Sequence, residues 1–207
     1  MLLLSIAYFA PIQYYSKLLQ YEHVIIERHE NYNKQSYRNR CTIFSANGLL
    51  DLMVPVVKPD QPKIPVTEVE ISYDTLWQKQ HLKAIESAYR RSPFYEYYID
   101  DLMAFFNTPH QYLYAFNMQI LQKICELIKI PFCVQESQCY IKPCEGIIDL
   151  RNTIHPKPNR QHADPVFVPP QYTQVFSDKF GFKPNLSILD LLFHTGPEAK
   201  GILASRG

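Results

Sequence analysis

One short basic segment carries residue types that are well suited to holding an anion: Lys34, Arg38 and Arg40, with Tyr37 and Asn39 between them. Arginine presents planar paired donors that match a phosphate or a carboxylate, and asparagine can hold a hydroxyl or an amide. This pattern predicts a phosphate site just upstream of a strand. The alternative is a solvated loop in which the arginines pair with nearby carboxylates, namely Glu27, Glu30 or Asp51.

A second group of candidates lies in a long loop, where Asp149 and Arg151 stand two positions apart and His155 follows closely. Residues two apart in an extended chain point to the same side. A histidine with a pKa near about 6.5 is a common acid or base at neutral pH. These residues are candidates for a substrate clamp, with Asp149 and His155 as catalytic groups. The alternative is an ordinary surface ion pair that contributes less than about 1 kcal/mol.

Two further histidines, His81 and His194, have neighbouring residues that indicate what each could do. His81 lies with Trp77 on a predicted apolar helix stripe, which favours a core histidine but leaves it a candidate acid or base. Asp190 and His194 stand four positions apart on a predicted helix, close enough to hydrogen-bond. No serine or cysteine nucleophile is identifiable beside them, which favours a structural pair. No histidine spacing typical of a zinc site occurs, so no metal is predicted.

The composition narrows the classes of function. Hydrophobic residues make up 46% and charged residues 20% of the chain, which is typical of a globular protein with a buried core. The formal net charge is +1, so neither nucleic acid nor an anionic membrane is an expected partner. With 6 glycines and no glycine-rich phosphate loop, no cofactor is expected. The five cysteines lack CxxC spacing, which favours reduced thiols.

The N-terminal residues predict a βαβ unit. Residues 2–9 form a continuous apolar run typical of a buried strand, Pro11 stands where a helix would begin, and residues 24–26 form a second β-branched run. Ligands collect beyond the carboxyl ends of the strands in such units. Those ends carry Tyr8 to Pro11 and Glu27 to Glu30, which makes Tyr8 a candidate substrate-binding residue.

The middle of the chain predicts a hairpin followed by helices. Asn47-Gly48 between apolar runs predicts an antiparallel hairpin near residues 41–57. Residues 66–73 alternate in hydropathy, as a half-exposed strand does. Asp74 is a predicted N-cap and a further candidate for the site, and three apolar stripes predict a helical block over residues 75–128. The fold class is therefore mixed α/β, with an N-terminal βαβ unit and a mixed sheet.

The remaining residues are less periodic. Residues 131–134 suggest another strand, residues 144–170 are typical of a long functional or mobile loop, and residues 186–193 predict a short helix ended by Gly196-Pro197. One domain over residues 1–207 is expected from the length. The N-terminus lacks the features of a signal peptide, and no apolar run reaches the roughly 20 residues of a membrane span, so a cytoplasmic protein is expected.

The sequence resembles the WbqC-like protein family across most of its length. The matching pieces are, in order, Tyr8-Phe9 to Lys17, Tyr37-Arg38-Asn39-Arg40, Asn47-Gly48, Val54-Pro55-Val56, Ile71 to Trp77 with His81, Tyr89 with Ser92-Pro93-Phe94, and Asn185 to Phe193 before Gly196. Each piece is short, and their common order and spacing make the resemblance specific.

The resemblance implies a protein of bacterial surface-polysaccharide gene clusters, including those for the O-antigen of lipopolysaccharide, with a role in making or modifying an activated sugar. Longer members open with His-Gln-Pro ahead of the Tyr-Phe element, whereas this chain has Leu3 to Ala7 there. By analogy with nucleotidyltransferases that histidine would bind phosphate. Its absence argues against nucleotidyl transfer in this protein.

Two hypotheses follow. The first is a transferase or sugar-modifying enzyme that holds a phosphorylated sugar or nucleotide-sugar through Arg38, Asn39 and Arg40, while Tyr8 and the loop around residues 149–151 close over it. Catalysis would rest on positioning and charge, with His81 or His155 as acid or base. The second is a non-catalytic binding or assembly protein that recruits enzymes of the same pathway. Convergence of the arginines with Tyr8 in one cleft would favour the first, and arginines that lie apart on the surface would favour the second.

Overall fold

The structure is a computed structural model that describes residues 1–58, 61–157 and 164–205. The strands are β1 (Leu2–Leu4), β2 (Val24–Ile26), β3 (Arg40–Ser45), β4 (Gly48–Met53), β5 (Val134–Glu136) and β6 (Ile148–Asp149). The helices are α1 (Ile12–Gln20), α2 (Trp77–Tyr89), α3 (Tyr95–Asn107), α4 (Leu113–Leu127), α5 (Ser177–Phe180), α6 (Ile188–Thr195) and α7 (Ala199–Ala204). One cluster of buried apolar residues runs from β1 to α7.

The predicted βαβ unit is confirmed. All three leucines of β1 are buried, because helices and neighbouring strands cover both faces. Helix α1 follows Pro11, whose fixed φ and missing N–H cost nothing at a helix start. Strand β2 then returns parallel to β1 in the register Leu2 to Val24 and Leu4 to Ile26.

The central sheet brings distant parts of the chain to one edge. Within the described residues its order is β5-β2-β1-β6, and every neighbouring pair is parallel. The carboxyl ends of these strands therefore meet at the same edge. Strand β1 is shorter than the predicted run of residues 2–9, because the backbone turns after Leu4 and Phe9 takes a positive φ of 37°. That turn opens space beyond the strand ends.

The predicted hairpin is also confirmed, and it forms its own two-stranded sheet. Strands β3 and β4 pair antiparallel from Arg40 opposite Met53 to Ser45 opposite Gly48. Gly48 adopts a φ of +103°, which favours glycine at this position. The mixed α/β class is therefore confirmed, with parallel and antiparallel pairing in two separate sheets.

The helical block predicted for residues 75–128 is present as α2, α3 and α4. Two local expectations are wrong, one at the start of this block and one in the segment before it. Asp74 does not cap α2: Leu76 precedes the helix, and the exposed Asp74 accepts a hydrogen bond from Ser72 Oγ at 2.8 Å. Residues 66–73 form no regular strand, because the segment begins with the 3₁₀ turn Val66–Glu68 and then pairs only at isolated residues.

The C-terminal third agrees with the sequence in outline. The strand expected at residues 131–134 is β5, displaced towards the C-terminus, and the expected helix at 186–193 is α6. The long loop 144–170 contains the short strand β6, and its residues 158–163 lie outside the described residues. Among the described residues, no helix has the length and apolar character needed to cross a membrane.

Candidate functional site

A narrow cleft lies beyond the carboxyl ends of β1 and β6. Its polar lining comes from Ser5, Tyr14, Tyr37, Arg38 and Arg151, and apolar side chains complete the wall: Leu4, Ile6, Ala7, Leu150 and Ile154. The cleft encloses a space of about 10 Å³, which is enough for about one water molecule. Ligand pockets usually have about 300 to 1,000 Å³, so an anionic group or a sugar ring would enter this cleft only if the lining side chains moved apart.

Arg38 is held in the cleft by a carboxylate. Its Nε and Nη2 donate to Oε1 and Oε2 of Glu30 at 2.8 and 2.6 Å, and Nη2 also donates to Ser5 Oγ at 2.7 Å. Both charged side chains are almost fully buried. No described residue accepts a hydrogen bond from Arg38 Nη1, so this nitrogen remains available to a ligand.

Arg151 reaches the same cleft from the other strand. Its Nε and Nη2 donate to Asp149 at 3.0 and 2.6 Å, its Nη1 lies 3.4 Å from Glu27 Oε2, and Tyr140 lies under the guanidinium. Burial alone would raise the pKa of Asp149, but the hydrogen bonds and charge of Arg151 outweigh burial and lower it. Asp149 is therefore ionised at neutral pH and fixes Arg151.

A fully buried carboxylate, Glu27, stands behind both strand ends. It accepts hydrogen bonds from the backbone N–H of His29 and Ile141 at 2.8 and 2.7 Å, and from Ser137 Oγ at 2.6 Å. Sequence reasoning placed Glu27 at a strand end without assigning it to the site. These bonds tie the ends of β2 and β5 together, and the contact of Glu27 with Arg151 adds the end of β6, so Glu27 supports the cleft from behind.

The charge balance of the cluster is mixed. Three carboxylates, those of Glu27, Glu30 and Asp149, surround two guanidinium groups. The carboxylates hold the arginines in fixed orientations, and this preorganises the donors that face the cleft. Tyr37 adds a hydroxyl whose pKa is raised by burial to about 12, so it stays protonated and can donate.

The other residues of the basic segment lie outside this cleft. Asn39 is buried and donates from Nδ2 to the carbonyl of Val54 at 3.0 Å, which joins the segment to β4. Arg40 lies on the hairpin, 3.5 Å from Asp51, and Lys34 is exposed. Of the three predicted cations, the structure brings only Arg38 together with Arg151.

Tyr8 and His81 form a pair within the core, away from the cleft. Tyr8 Oη lies 2.9 Å from His81 Nδ1, and the histidine also hydrogen-bonds the backbone carbonyl of Met53. A carbonyl can only accept, so the histidine donates to Met53 and Nδ1 accepts from Tyr8. Trp77 and Phe106 pack edge-on against the imidazole. The pair joins α2 to the turn after β1.

Burial lowers the pKa of His81 to about 4, which makes stability depend on pH. The unfolded chain binds a proton here below about pH 6.5, whereas the folded chain resists protonation until about pH 4. Stability is therefore complete above pH 6.5 and is lost as the pH falls. Between pH 7 and pH 5 we expect His81 to reduce the free energy of unfolding by about 2 kcal/mol.

Urea denaturation at several pH values measures this loss. His81→Gln removes the titrating group, so the variant should show a shallower pH dependence over this range than the wild type. His23→Gln makes the same replacement at an exposed position and serves as the matched control for the substitution itself. Equal slopes for His81→Gln and the wild type would contradict a neutral, buried His81.

His155 lies four residues beyond Arg151 and is buried. Its Nδ1 accepts a hydrogen bond from the backbone N–H of Lys157 at 3.0 Å, and the Lys157 ammonium in turn hydrogen-bonds Gln35. His155 is not among the residues that line the cleft, although Ile154 beside it is. The hydrogen bond from Lys157 to Gln35 thus joins this loop to the basic segment.

Asp190 and His194 form a structural pair. His194 Nε2 accepts from the backbone N–H of Val175 at 3.0 Å, so Nδ1 carries the proton and donates to the Asp190 carbonyl at 2.6 Å. The Asp190 carboxylate accepts from Tyr172 and Gln174. These bonds join α6 to the extended segment before α5.

A buried ion pair that sequence reasoning missed fixes α1. Lys17 is almost fully buried, and its Nζ lies 2.8 Å from Asp164, which also accepts from Gln13. The available signal was the position of Lys17 on the apolar face of α1, one turn from Tyr14. Among the described residues, no group of His, Cys, Asp and Glu could hold a metal ion.

Comparison with known proteins supports the family resemblance. The uncharacterized protein Rv1507c of Mycobacterium tuberculosis (strain ATCC 25618 / H37Rv) is 25% identical over 214 residues, covering 92% of this chain and 91% of the relative. No solved structure matches the chain. The profile of the WbqC-like protein family matches residues 7–155, a span that includes β2, the hairpin, the helical block and both arginines of the cleft. The chain therefore belongs to the WbqC-like protein family.

Proposed function

We propose that the protein binds a phosphorylated sugar or nucleotide-sugar by inserting an anionic group into the cleft, as a transferase or sugar-modifying enzyme of surface-polysaccharide biosynthesis. One observation carries this proposal. Arg38 and Arg151, far apart in sequence, line the same cleft at the carboxyl edge of a parallel sheet. That edge is where open α/β sheets bind ligands.

The chemistry of the lining suits such a ligand. Nη1 of Arg38 is available for a phosphate oxygen, and charge-assisted bonds from a fixed guanidinium are among the stronger hydrogen bonds in proteins. Tyr37 offers a hydroxyl to a ligand. Ser5 Oγ already donates to Glu30 and Tyr14 Oη to the carbonyl of Ser5, both at 3.0 Å, so these two hydroxyls can only accept from a ligand. Because the enclosed space holds only about one water molecule, an anionic group would have to part the lining side chains, and the sugar and nucleotide would lie outside the cleft.

A non-catalytic binding or assembly role in the same pathway is the second candidate, and one observation favours it. The residues lining the cleft include no His, Cys, Asp, Glu or Lys among those that the structure describes. Asp149 holds Arg151 and has a lowered pKa, which makes it a weak base. If the protein is an enzyme, its catalysis would depend on positioning of the substrate and on charge stabilisation by the arginines.

Isothermal titration with a panel of sugar phosphates and nucleotide-sugars tests the proposal. Arg38→Lys and Arg151→Lys keep the positive charge beside each carboxylate but remove the planar paired donors. We expect each to weaken binding by about tenfold or more. Arg40→Lys is the matched control, because Arg40 lies on the hairpin, and it should leave the affinity unchanged.

The panel also separates the two roles. Mass spectrometry of the bound ligand after incubation with candidate acceptors should reveal a new product if the protein is an enzyme, and unchanged ligand if it only binds. Absence of binding by every compound in the panel would overturn the proposal. An equal loss of affinity in Arg40→Lys and the two cleft variants would place the ligand outside the cleft.

A further inference from the structure

A second, larger groove lies along α2, beside the hairpin turn. Its charged and polar lining comes from α2 and the residues that follow it: Lys83, Glu86, Ser87, Arg90 and Arg91. Its apolar lining is Ala46, Ala88, Val175 and Phe176. The groove has a volume of about 600 Å³, within the usual range for ligand sites. None of these residues takes part in the cleft described above.

The positive charges of the groove follow one face of α2. Lys83 and Arg90 are seven positions apart, which places them on the same helix face at a separation of about 10 Å along the axis. Arg91 follows directly. Three cations therefore stand in the groove with one carboxylate, Glu86.

Most of this positive charge is not neutralised within the protein. Glu86 lies 3.8 Å from Arg90, and both side chains are at least half exposed, so the pair contributes little. In residues 1–58, 61–157 and 164–205, no carboxylate forms an ion pair with Lys83 or Arg91. Two cations thus remain for an anion from solution.

An aromatic side chain borders the same groove. Phe176 is half-buried, and its ring packs edge-on against Phe44 at a centroid distance of 5.7 Å, which fixes its position. Lys179, beyond it, donates to the carbonyl of Ala46 at 3.2 Å and so ties α5 to the hairpin turn. The groove combines a fixed ring with a row of cations.

The helix dipole explains only part of this arrangement. Cations near a helix C-terminus are favourable, which accounts for Arg90 and Arg91 at the end of α2. Lys83 lies in the middle of the helix, where the dipole gives no such preference. Lys83 therefore adds a cation to the groove that the dipole does not account for.

We propose that this groove binds a nucleoside diphosphate, with the diphosphate between Lys83 and the arginines at 90 and 91 and the base against Phe176. The long side chains of lysine and arginine can close on two adjacent phosphates from opposite ends. Aromatic side chains stack on bases without regard to base identity. This site is independent of the cleft beyond β1 and β6.

Isothermal titration of the full chain with UDP and ADP tests the proposal, with inorganic pyrophosphate and uridine as reference ligands. We expect both nucleoside diphosphates to bind, pyrophosphate to bind more weakly, and uridine not to bind. Because the cations are exposed, affinity should fall as salt is raised from about 50 to 300 mM.

Variants locate the site. Lys83→Gln/Arg91→Gln should weaken UDP binding by about tenfold or more. Lys79→Gln/Lys200→Gln removes the same net charge from exposed positions outside the groove and should have no effect. Phe176→Leu should weaken UDP binding but leave pyrophosphate binding unchanged.

Three outcomes would overturn the proposal. The first is the absence of UDP and ADP binding to the wild-type protein. The second is an equal effect of the two double variants, which would indicate net charge rather than a site. The third is loss of UDP binding in Arg38→Lys or Arg151→Lys with full binding in Lys83→Gln/Arg91→Gln, which would assign the nucleotide to the cleft and leave the proposed function intact.

Discussion

Arg38→Gln is expected to lower the free energy of unfolding by about 3 to 5 kcal/mol, because it leaves Glu30 buried without its partner. Arg38 makes two hydrogen bonds to Glu30 and one to Ser5, and glutamine replaces neither the charge nor the fork geometry. Urea denaturation at pH 7 measures the change. The effect arises from an uncompensated charge rather than from lost packing.

A double-mutant cycle checks this cause. Arg38→Gln/Glu30→Gln removes both charges, so it should recover most of the stability that Arg38→Gln loses. Arg40→Gln is the control, because its partner Asp51 is half exposed and 3.5 Å away, and it should cost less than about 1 kcal/mol. If Arg38→Gln were no more destabilising than Arg40→Gln, the buried pair would not hold the basic segment in place.

Gly196→Ala is expected to destabilise the protein by about 2 to 4 kcal/mol. Gly196 ends α6 with a φ of +52°, and a Cβ built there would lie 2.5 Å from the ring of Phe94. The backbone N–H of Phe94 donates to Phe193 near the end of α6, which holds the Phe94 backbone beside Gly196, so only a rotation of the ring could relieve the contact. Thermal and urea denaturation should both report the loss.

Gly201→Ala is the control, and it should change the free energy of unfolding in the opposite direction. Gly201 lies within α7, and a Cβ there would meet no atom within 4 Å, so Gly201→Ala should stabilise by about 0.5 to 1 kcal/mol. A Gly196→Ala variant as stable as the wild type would mean that the α6 end and the Phe94 ring can separate without cost.

Much of the fold could be predicted from sequence because its signals are local. The apolar run before Pro11, the Asn47-Gly48 turn and the helical stripes each specify an element through neighbouring residues. The segment 66–73 could not be predicted in this way. Its buried Val69 and Ile71 fit a strand, but a strand also requires a continuous partner, and only isolated pairings form there.

The candidate site could be predicted only in part, because it too depends on contacts between residues that are far apart in the sequence. Pairing of Arg38 with Glu30 and of Arg40 with Asp51 was among the alternatives that the residue types left open. The approach of Arg38 to Arg151 depends on the position of β6 beside β1, which is a property of the sheet order. Local patterns contain no information on that order, so the sequence offered the meeting of Arg38 with the loop around residues 149–151 only as a hypothesis.

A crystal structure of the protein with a phosphorylated sugar that binds in the titration panel tests the central claim most directly. We expect the ligand's anionic group between Arg38 and Arg151, with an oxygen within about 3 Å of Arg38 Nη1. Unchanged pairs from Arg38 to Glu30 and from Arg151 to Asp149 should accompany it. Density for the anionic group at any other position, with the cleft empty, would contradict the claim.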